Sequence, residues 1–382
     1  MTPQPAERPA SVPLDPTLEQ LHHAPPLVFA SECDRLRHRL AAVARGEALL
    51  LQGGGATQAL GSVRAEAVRG MLGTLLQMAV LLAYAAALPV VKVGRAAGPP
   101  LLPDTATPPP PDADHLLRTY QTSSAVLNLV RAFTDGRYAD MFQAHAWNMR
   151  HLEQTPDAHR HRPLAEEMDR AVSFLRSMGM RSHDDMETYV SHDAVLLDYE
   201  AALTRDSARS GGFCASSGHL LWTDADRPPD GPHADYLAGV SNAVVVRIGR
   251  DTAVDTVLGH LDRLDPEREP GRLTFAVGVG ADQVRDVLPP LVEKTLAEGA
   301  RVCWISDPQP ALVPIGDRSA LVAAVLGEVR GFVEVHRALG THPGGVRVDV
   351  AGEESGGGAL LTGPEAIDLA FGLADVYREA GR

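Results

Sequence analysis

Short apolar runs, each ended by a glycine or a polar turn, recur along the chain and alternate with longer segments of helical period. The runs cover residues 48–52, 89–93, 194–197, 219–222, 243–248, 273–279, 301–306 and 346–350. The later ones are almost continuously hydrophobic, as parallel strands covered on both faces must be. Between them, helical periodicity spans 31–45, 63–87, 116–134, 137–153, 163–178, 252–264, 283–298, 318–339 and 364–379. Eight strands alternating with helices predict an α/β fold of the (β/α)8 TIM-barrel type rather than an open doubly wound sheet.

Composition narrows this picture. The 382 residues are 45% hydrophobic and 22% charged, enough for one large domain or two smaller ones. Residues 1–26 are rich in proline and polar groups and predict a mobile arm, an N-terminal extension ahead of a single barrel domain over 27–382. A formal net charge of −14 argues against nucleic acid and anionic membrane as partners. The longest apolar stretch, 78–91, is too short for a membrane span and runs into Lys92 and Arg95. No basic region followed by an apolar core marks a secretory leader. Cys33, Cys214 and Cys303 are spaced for neither a disulfide framework nor a zinc site, which fits a reducing cytoplasm. The proline-rich stretch 101–111 reads as a linker or as a lid.

In a barrel of this type the chemistry gathers at the C-terminal ends of the strands. That rule selects Gln52, Arg95, His219, Trp222, Arg247, Asp307, Asp349, Glu353 and Glu354. Several have two readings. Arg95 pairs with a rim carboxylate or holds a ligand. His219 is a satisfied core histidine or an acid–base group. Trp222 walls a pocket. Asp307 caps a turn or acts chemically. Glu353 and Glu354 form a solvated pair or part of the site. Gln52 opens a glycine turn, and a glycine run alone is a weak phosphate signal. The string 159–162 (HRHR) reads as solvated surface.

Several segments occur in the order of a known family: LVFASECDRL, LLLQGG, VVKVGR, LNLVRAF, SHDAVLLDYEAALTR, SGHLLW, DGPH, PGRLTF, SDP and HPGGVRVDVAG, from Leu27 towards the C-terminus. On these segments the chain resembles the class II 3-deoxy-heptulosonate 7-phosphate (DAHP) synthases. The resemblance implies a barrel that condenses phosphoenolpyruvate with erythrose 4-phosphate. It also implies a divalent metal held by Cys, His, Glu and Asp, with Arg and Lys clamping phosphates and carboxylate.

Carried over residue by residue, the implied metal Cys falls on Ala56, the His on Pro310 and the Glu on Glu354, while the Asp falls in a deletion between Gly358 and Pro364. Of the implied anion clamp, Arg95 remains and a Lys becomes Arg247. An Arg becomes Gly278, and a Glu-Arg pair becomes Ala225-Asp226. These replacements lead to an expectation of no metal and no cofactor. They predict a DAHP-synthase-like enzyme repurposed for metal-independent chemistry on a non-phosphorylated small molecule in specialised metabolism. Its acid–base groups would be Glu354, Asp307 and His219. Arg95, Trp222, Arg247, Gln52, Asp226 and Glu353 would bind the substrate. The alternatives are a non-catalytic partner of a biosynthetic enzyme, or a true DAHP synthase. A homo-oligomer or a complex with a pathway enzyme is expected.

Overall fold

The computed structural model describes residues 16–54, 63–96, 98, 113–135, 140–155, 160–180, 187–207, 212–308, 318–350 and 361–380. Among them the strands are β1 (Leu49–Gly53), β2 (Val90–Arg95), β3 (Thr188–Asp193), β4 (Thr204–Ser207), β5 (Gly212–Ala215), β6 (Leu220–Asp224), β7 (Ala243–Ile248), β8 (Leu273–Val277), β9 (Cys303–Ser306) and β10 (Gly345–Val348). The helices are α1 (Pro16–His23), α2 (Ala30–Ala44), α3 (Ala65–Ala86), α4 (Ala113–Asp135), α5 (Met141–Gln154), α6 (Arg162–Ser177), α7 (Leu197–Ala202), α8 (Pro232–Gly239), α9 (Val254–Leu264), α10 (Val284–Ala297), α11 (Arg318–Ala338) and α12 (Gly363–Ala380).

Eight parallel strands close in the order β1-β10-β9-β8-β7-β6-β3-β2, so the predicted (β/α)8 barrel is present. The antiparallel pair β4-β5 stands outside it as a separate two-stranded sheet. The third strand is β3, not the apolar run 194–197. That run lies just past β3 and leads into α7. Within the arm expected over 1–26, residues 16–23 form α1, with Leu21 fully buried.

Each strand turns alternate side chains to opposite faces, which divides the core in two. Leu49, Leu51, Leu221, Val244, Val246, Phe275 and Trp304 pack outward among the helices. Leu50, Val91, Val93, Tyr189, Leu220, Trp222, Val245, Ala276 and Ile305 fill the barrel interior. Helix α3 is long and apolar enough to cross a membrane by length and composition, but half of its apolar window is buried inside the molecule. Its Leu75, Met78, Leu81 and Leu82 belong to the main core, as in a core helix of a globular barrel.

The base of the barrel is covered. Helix α2 places Leu36, Leu40 and Val43 against the first inward residues of the strands, among them Leu50, Val91, Leu220, Ala243 and Cys303. The Cys303 thiol donates to the Leu40 carbonyl over 3.1 Å. Ahead of β8, Gly271 has φ +85°, and a Cβ there would fall 2.3 Å from the Arg37 carbonyl oxygen, so α2 presses directly on the backbone.

An ionic cluster ties α2 to its surroundings. Arg131 of α4 reaches both oxygens of Glu32 at 3.1 and 3.0 Å, and the Phe29 N–H donates to Glu32 over 2.8 Å. Burial alone would raise the Glu32 pKa. Hydrogen bonds from His219 and Phe29 and the charge of Arg131 reverse this and hold it at about 2 against 4.5. His219 is itself pushed below 6.5 by burial, so at neutral pH it faces Glu32 as a neutral ring and Arg131 is the lasting charge. A depressed carboxylate pKa contributes stability that is full above the unfolded value and lost as pH falls through the folded one. Glu32→Gln is therefore expected to lower stability by about 2 kcal/mol at pH 7, with the difference shrinking between pH 4.5 and 2. Urea denaturation at pH 7 and pH 3 checks this. A deficit of the same size at both values would refute it.

Candidate active site

At the C-terminal ends of the strands the inward residues change from apolar to charged. The first two layers of the interior are aliphatic and aromatic, and Trp222, fully buried, closes them from above. Over its indole lie two guanidiniums, with Arg247 Cζ at 5.1 Å and Arg347 Cζ at 5.4 Å from the ring. This is cation–π spacing, and the flat ring suits the planar guanidinium.

Carboxylates interleave with the cations. Arg247, on β7, donates to Asp307 over 3.1 Å, to Asp224 over 2.5 Å and to Asp193 over 3.4 Å. Arg347, on β10, donates to Asp307 and to Asp349, each over 2.5 Å. Arg95, on β2, is ion-paired with Asp193. Gln52, on β1, donates to the Ser191 hydroxyl of β3 over 2.7 Å. Strands β2, β3, β6, β7 and β10, with Asp307 just past β9, thus feed one ionic network, and the Gln52–Ser191 pair of β1 and β3 lies beside it. At that level β8 offers Ala276, and Gly278 follows it.

The network is buried, with relative exposures of 1% for Asp307, 4% for Asp193, 5% for Arg95 and 6% for Arg347. Charges so placed persist only when paired and hydrogen-bonded. Burial would raise the Asp307 pKa, but Arg347, Arg247 and Arg95 together hold it below the ordinary value. Arg95 is pulled down to about 9, by burial first and then by repulsion from Arg347 and Arg247. Burial acts against the Arg247 cation as well, yet Asp307 and Asp224 raise its pKa above the ordinary guanidinium value. The three guanidiniums repel one another and are held together by the carboxylates between them. Such an arrangement can receive anions that displace or bridge these carboxylates, because Arg presents planar paired donors to carboxylate and phosphate.

The structure gathers Gln52, Arg95, Trp222, Arg247 and Asp307 at one mouth, as expected from their strand ends. His219 is not among them. It lies just before β6 rather than at its end, is 4% exposed, and sits 3.9 Å from Glu32 of the helix that closes the base. Its Nδ1 accepts from the Val190 N–H over 3.1 Å, which makes it a satisfied histidine of the barrel floor and removes it from acid–base work at the mouth. Asp226 is exposed in the turn after β6 and joins none of these bridges, while its neighbour Arg227 turns to His233 at 3.0 Å. Glu353, Glu354, Ala56, Pro310 and the stretch 101–111 lie outside the described residues.

Arg347, Asp193 and Asp224 were missed from sequence. The alternation in β10 carried the signal for the first: with Asp349 assigned to the mouth, Arg347 two residues earlier shares its face. Asp193 and Asp224 were missed because both strands were ended too early or placed too late.

Comparison with known proteins gives four findings. The sequence model described as the class II DAHP synthetase family matches residues 3–106 and 103–359. A phospho-2-dehydro-3-deoxyheptonate aldolase of Streptomyces coelicolor is 42% identical over 428 aligned residues, covering 98% of this chain and 95% of the relative. Phospho-2-dehydro-3-deoxyheptonate aldolase AroG of Mycolicibacterium smegmatis is 35% identical, covering 94% of this chain and 89% of the relative. Among solved structures, that of phospho-2-dehydro-3-deoxyheptonate aldolase from Francisella tularensis SCHU S4 is 10% identical with a TM-score of 0.49, covering 96% of this chain and 97% of that one.

Proposed function

The chain belongs to the class II DAHP synthetase family, and from that premise we propose that it is a DAHP synthase. The reaction joins the enol carbon of phosphoenolpyruvate to the aldehyde carbon of erythrose 4-phosphate, adds one water and releases inorganic phosphate. What carries this reading is identity of 42% across 98% of the chain with a relative bearing that activity in its name. It replaces the expectations of a barrel repurposed for other chemistry in specialised metabolism, and of a non-catalytic partner. Both are overturned by the 42% and 35% identities over nearly the whole chain.

The mouth agrees with phosphorylated, carboxylated substrates better than sequence suggested. Two basic groups were expected there, and a third, Arg347, joins them. Arg95, Arg247 and Arg347 supply fixed donors to carboxylate and phosphate oxygens. Trp222 forms the floor and, with α2 behind it, keeps water out from below. Asp193 and Asp307 hold the guanidiniums at set positions, so little reorganisation is needed when anions arrive. The three buried thiols suit action in a reducing cytoplasm.

The divalent metal implied by the family does not fit the groups present. Among the described residues, no group of three or more His, Cys, Asp or Glu is placed to hold an ion. Both oxygens of Asp307 are taken by Arg347 and Arg247. Ala56 and Pro310 bring no side-chain donor. No step is therefore routed through a metal.

Purified protein is expected to consume phosphoenolpyruvate, followed by loss of its ultraviolet absorbance, only when erythrose 4-phosphate is present, with one phosphate released per turnover. Absence of consumption both with and without added Mn2+ would overturn the reading.

A further inference from the structure

We propose that the Arg347 guanidinium is the fixed electrophilic cation of this mouth, occupying the sector where the family would hold a divalent ion and excluding such an ion from it. The inference rests on the DAHP synthase reading for the reaction it serves. Its geometry stands independently.

The first observation is position. Strand β10 lies between β1 and β9 in the closed sheet. The implied metal Cys and His fall at Ala56 and Pro310, in the segments that follow those two flanking strands. Arg347 projects from the strand between them, in register with Gln52 of β1. One residue before it, Val346 pairs with Ser306, which immediately precedes Asp307. A cation on Arg347 therefore occupies the barrel sector in which both replaced ligands would have converged.

The second observation is the state of the donors. Arg347 holds Asp307 through Nη1 and Asp349 through Nη2. Asp307 gives its other oxygen to Arg247. Of the four oxygens on these two carboxylates, only Asp349 Oδ1 has no partner. One oxygen beside a guanidinium is a poor host for a hard dication, which needs several oxygens and no adjacent positive charge. Each Nη carries a second hydrogen beyond the one given to a carboxylate, so the guanidinium retains donors that the carboxylates do not use. Trp222 beneath it at 5.4 Å keeps the cation from sinking into the barrel.

The third is chemical sufficiency. As the enol carbon bonds to the aldehyde carbon, the carbonyl π pair passes to the aldehyde oxygen, which then takes a proton from water. An N–H of a fixed guanidinium aimed at that oxygen stabilises the growing negative charge, the task a Lewis acid performs otherwise. No oxidant, reductant or further co-reactant is required.

The full chain is to be assayed with phosphoenolpyruvate and erythrose 4-phosphate after EDTA treatment and with added Mn2+, beside Arg347→Met and Arg347→Lys. Expected are wild-type turnover insensitive to both additions and no Mn2+ bound by titration. Arg347→Met should lose about 100-fold in kcat with KM for phosphoenolpyruvate changed far less. Arg347→Lys, which keeps the charge if the methionine variant fails to fold, should retain an intermediate rate. Turnover abolished by EDTA and restored by Mn2+ would overturn the inference and leave the DAHP synthase reading intact. One equivalent of Mn2+ bound by the wild type would overturn it whatever the activity. No turnover under any condition would remove the catalytic role together with the reading it rests on.

Discussion

Gly345→Ala is expected to prevent the barrel from closing. Gly345 begins β10 with φ +151°, and a Cβ built there would lie 1.9 Å from the Leu50 carbonyl oxygen and 2.8 Å from the Leu50 nitrogen. Leu50 is its register partner across the β1–β10 ladder, and the Leu50 N–H donates to the adjacent Gly344 carbonyl over 2.7 Å. Backbone meets backbone, so no side-chain rotation can relieve the collision. The neighbouring Gly344 is nearly as constrained, since its Cβ would fall 2.7 Å from the Trp304 carbonyl oxygen of β9. One methyl group must therefore separate β10 from β1 and displace Arg347 and Asp349 with it. The cost should exceed about 4 kcal/mol, the range reserved for a named backbone or core fault. The protein should be largely insoluble, or soluble with its urea midpoint shifted far down. A midpoint within error of the wild type would show that the seam is looser than described.

The second large effect is expected at Arg247→Met. Arg247 is shared by Asp193, Asp224 and Asp307 and is stacked on Trp222. Methionine fills much of the volume but leaves Asp307, 1% exposed, with Arg347 alone. Removing one partner from a buried charge pair costs about 3–5 kcal/mol, because the remaining charge stays desolvated. The pH dependence separates this cause from lost packing. In the wild type Asp307 has a depressed pKa, so it contributes stability above its unfolded value, and that contribution is lost as pH falls through the folded one. In the variant the contribution of Arg247 is lost while Arg347 and Arg95 remain, so the Asp307 pKa is depressed less and less of that stability is present at neutral pH. The difference between variant and wild type should therefore be largest at pH 7 and shrink on acidification. Urea curves at pH 7 and pH 4.5 decide it. An equal deficit at both values would assign the effect to packing.

Helices were the most legible part of the sequence. Segment 31–45 is α2 at Ala30–Ala44, 63–87 is α3 at Ala65–Ala86, and 318–339 is α11 at Arg318–Ala338. Their apolar stripes face one core, and periodicity records that directly. Strands near the mouth were harder. In β3, TYVSHD turns Tyr189, Ser191 and Asp193 inward, so the strand loses its hydrophobic character where it becomes useful. The eye moves to the more apolar 194–197, which leads out of the barrel. Arg347 was passed over for the same reason: a charged residue between two valines reads as surface until the strand is closed into a barrel.

His219 shows the opposite limit. The apolar run placed it inside a strand, whereas it lies in the bend just before β6, and a residue that precedes a parallel strand belongs to the floor. Pairings between neighbouring strands, such as Arg95 of β2 with Asp193 of β3, join positions 98 residues apart and follow from strand order rather than from any local pattern. The reaction was misread for a different cause. The replaced ligands were taken together as a change of chemistry, whereas the identity shared along 98% of the chain was the heavier fact.

The stopper formed by α2 has a kinetic consequence. A barrel sealed at its base by Leu36, Leu40 and Val43 is a cup with one doorway. On the proposed DAHP synthase reading, both reactants and both products would have to use it. Whatever rests on the floor must enter before its co-reactant and cannot leave until the molecule above it has gone. The order of arrivals and departures would thus be set by the plug at the far end of the barrel.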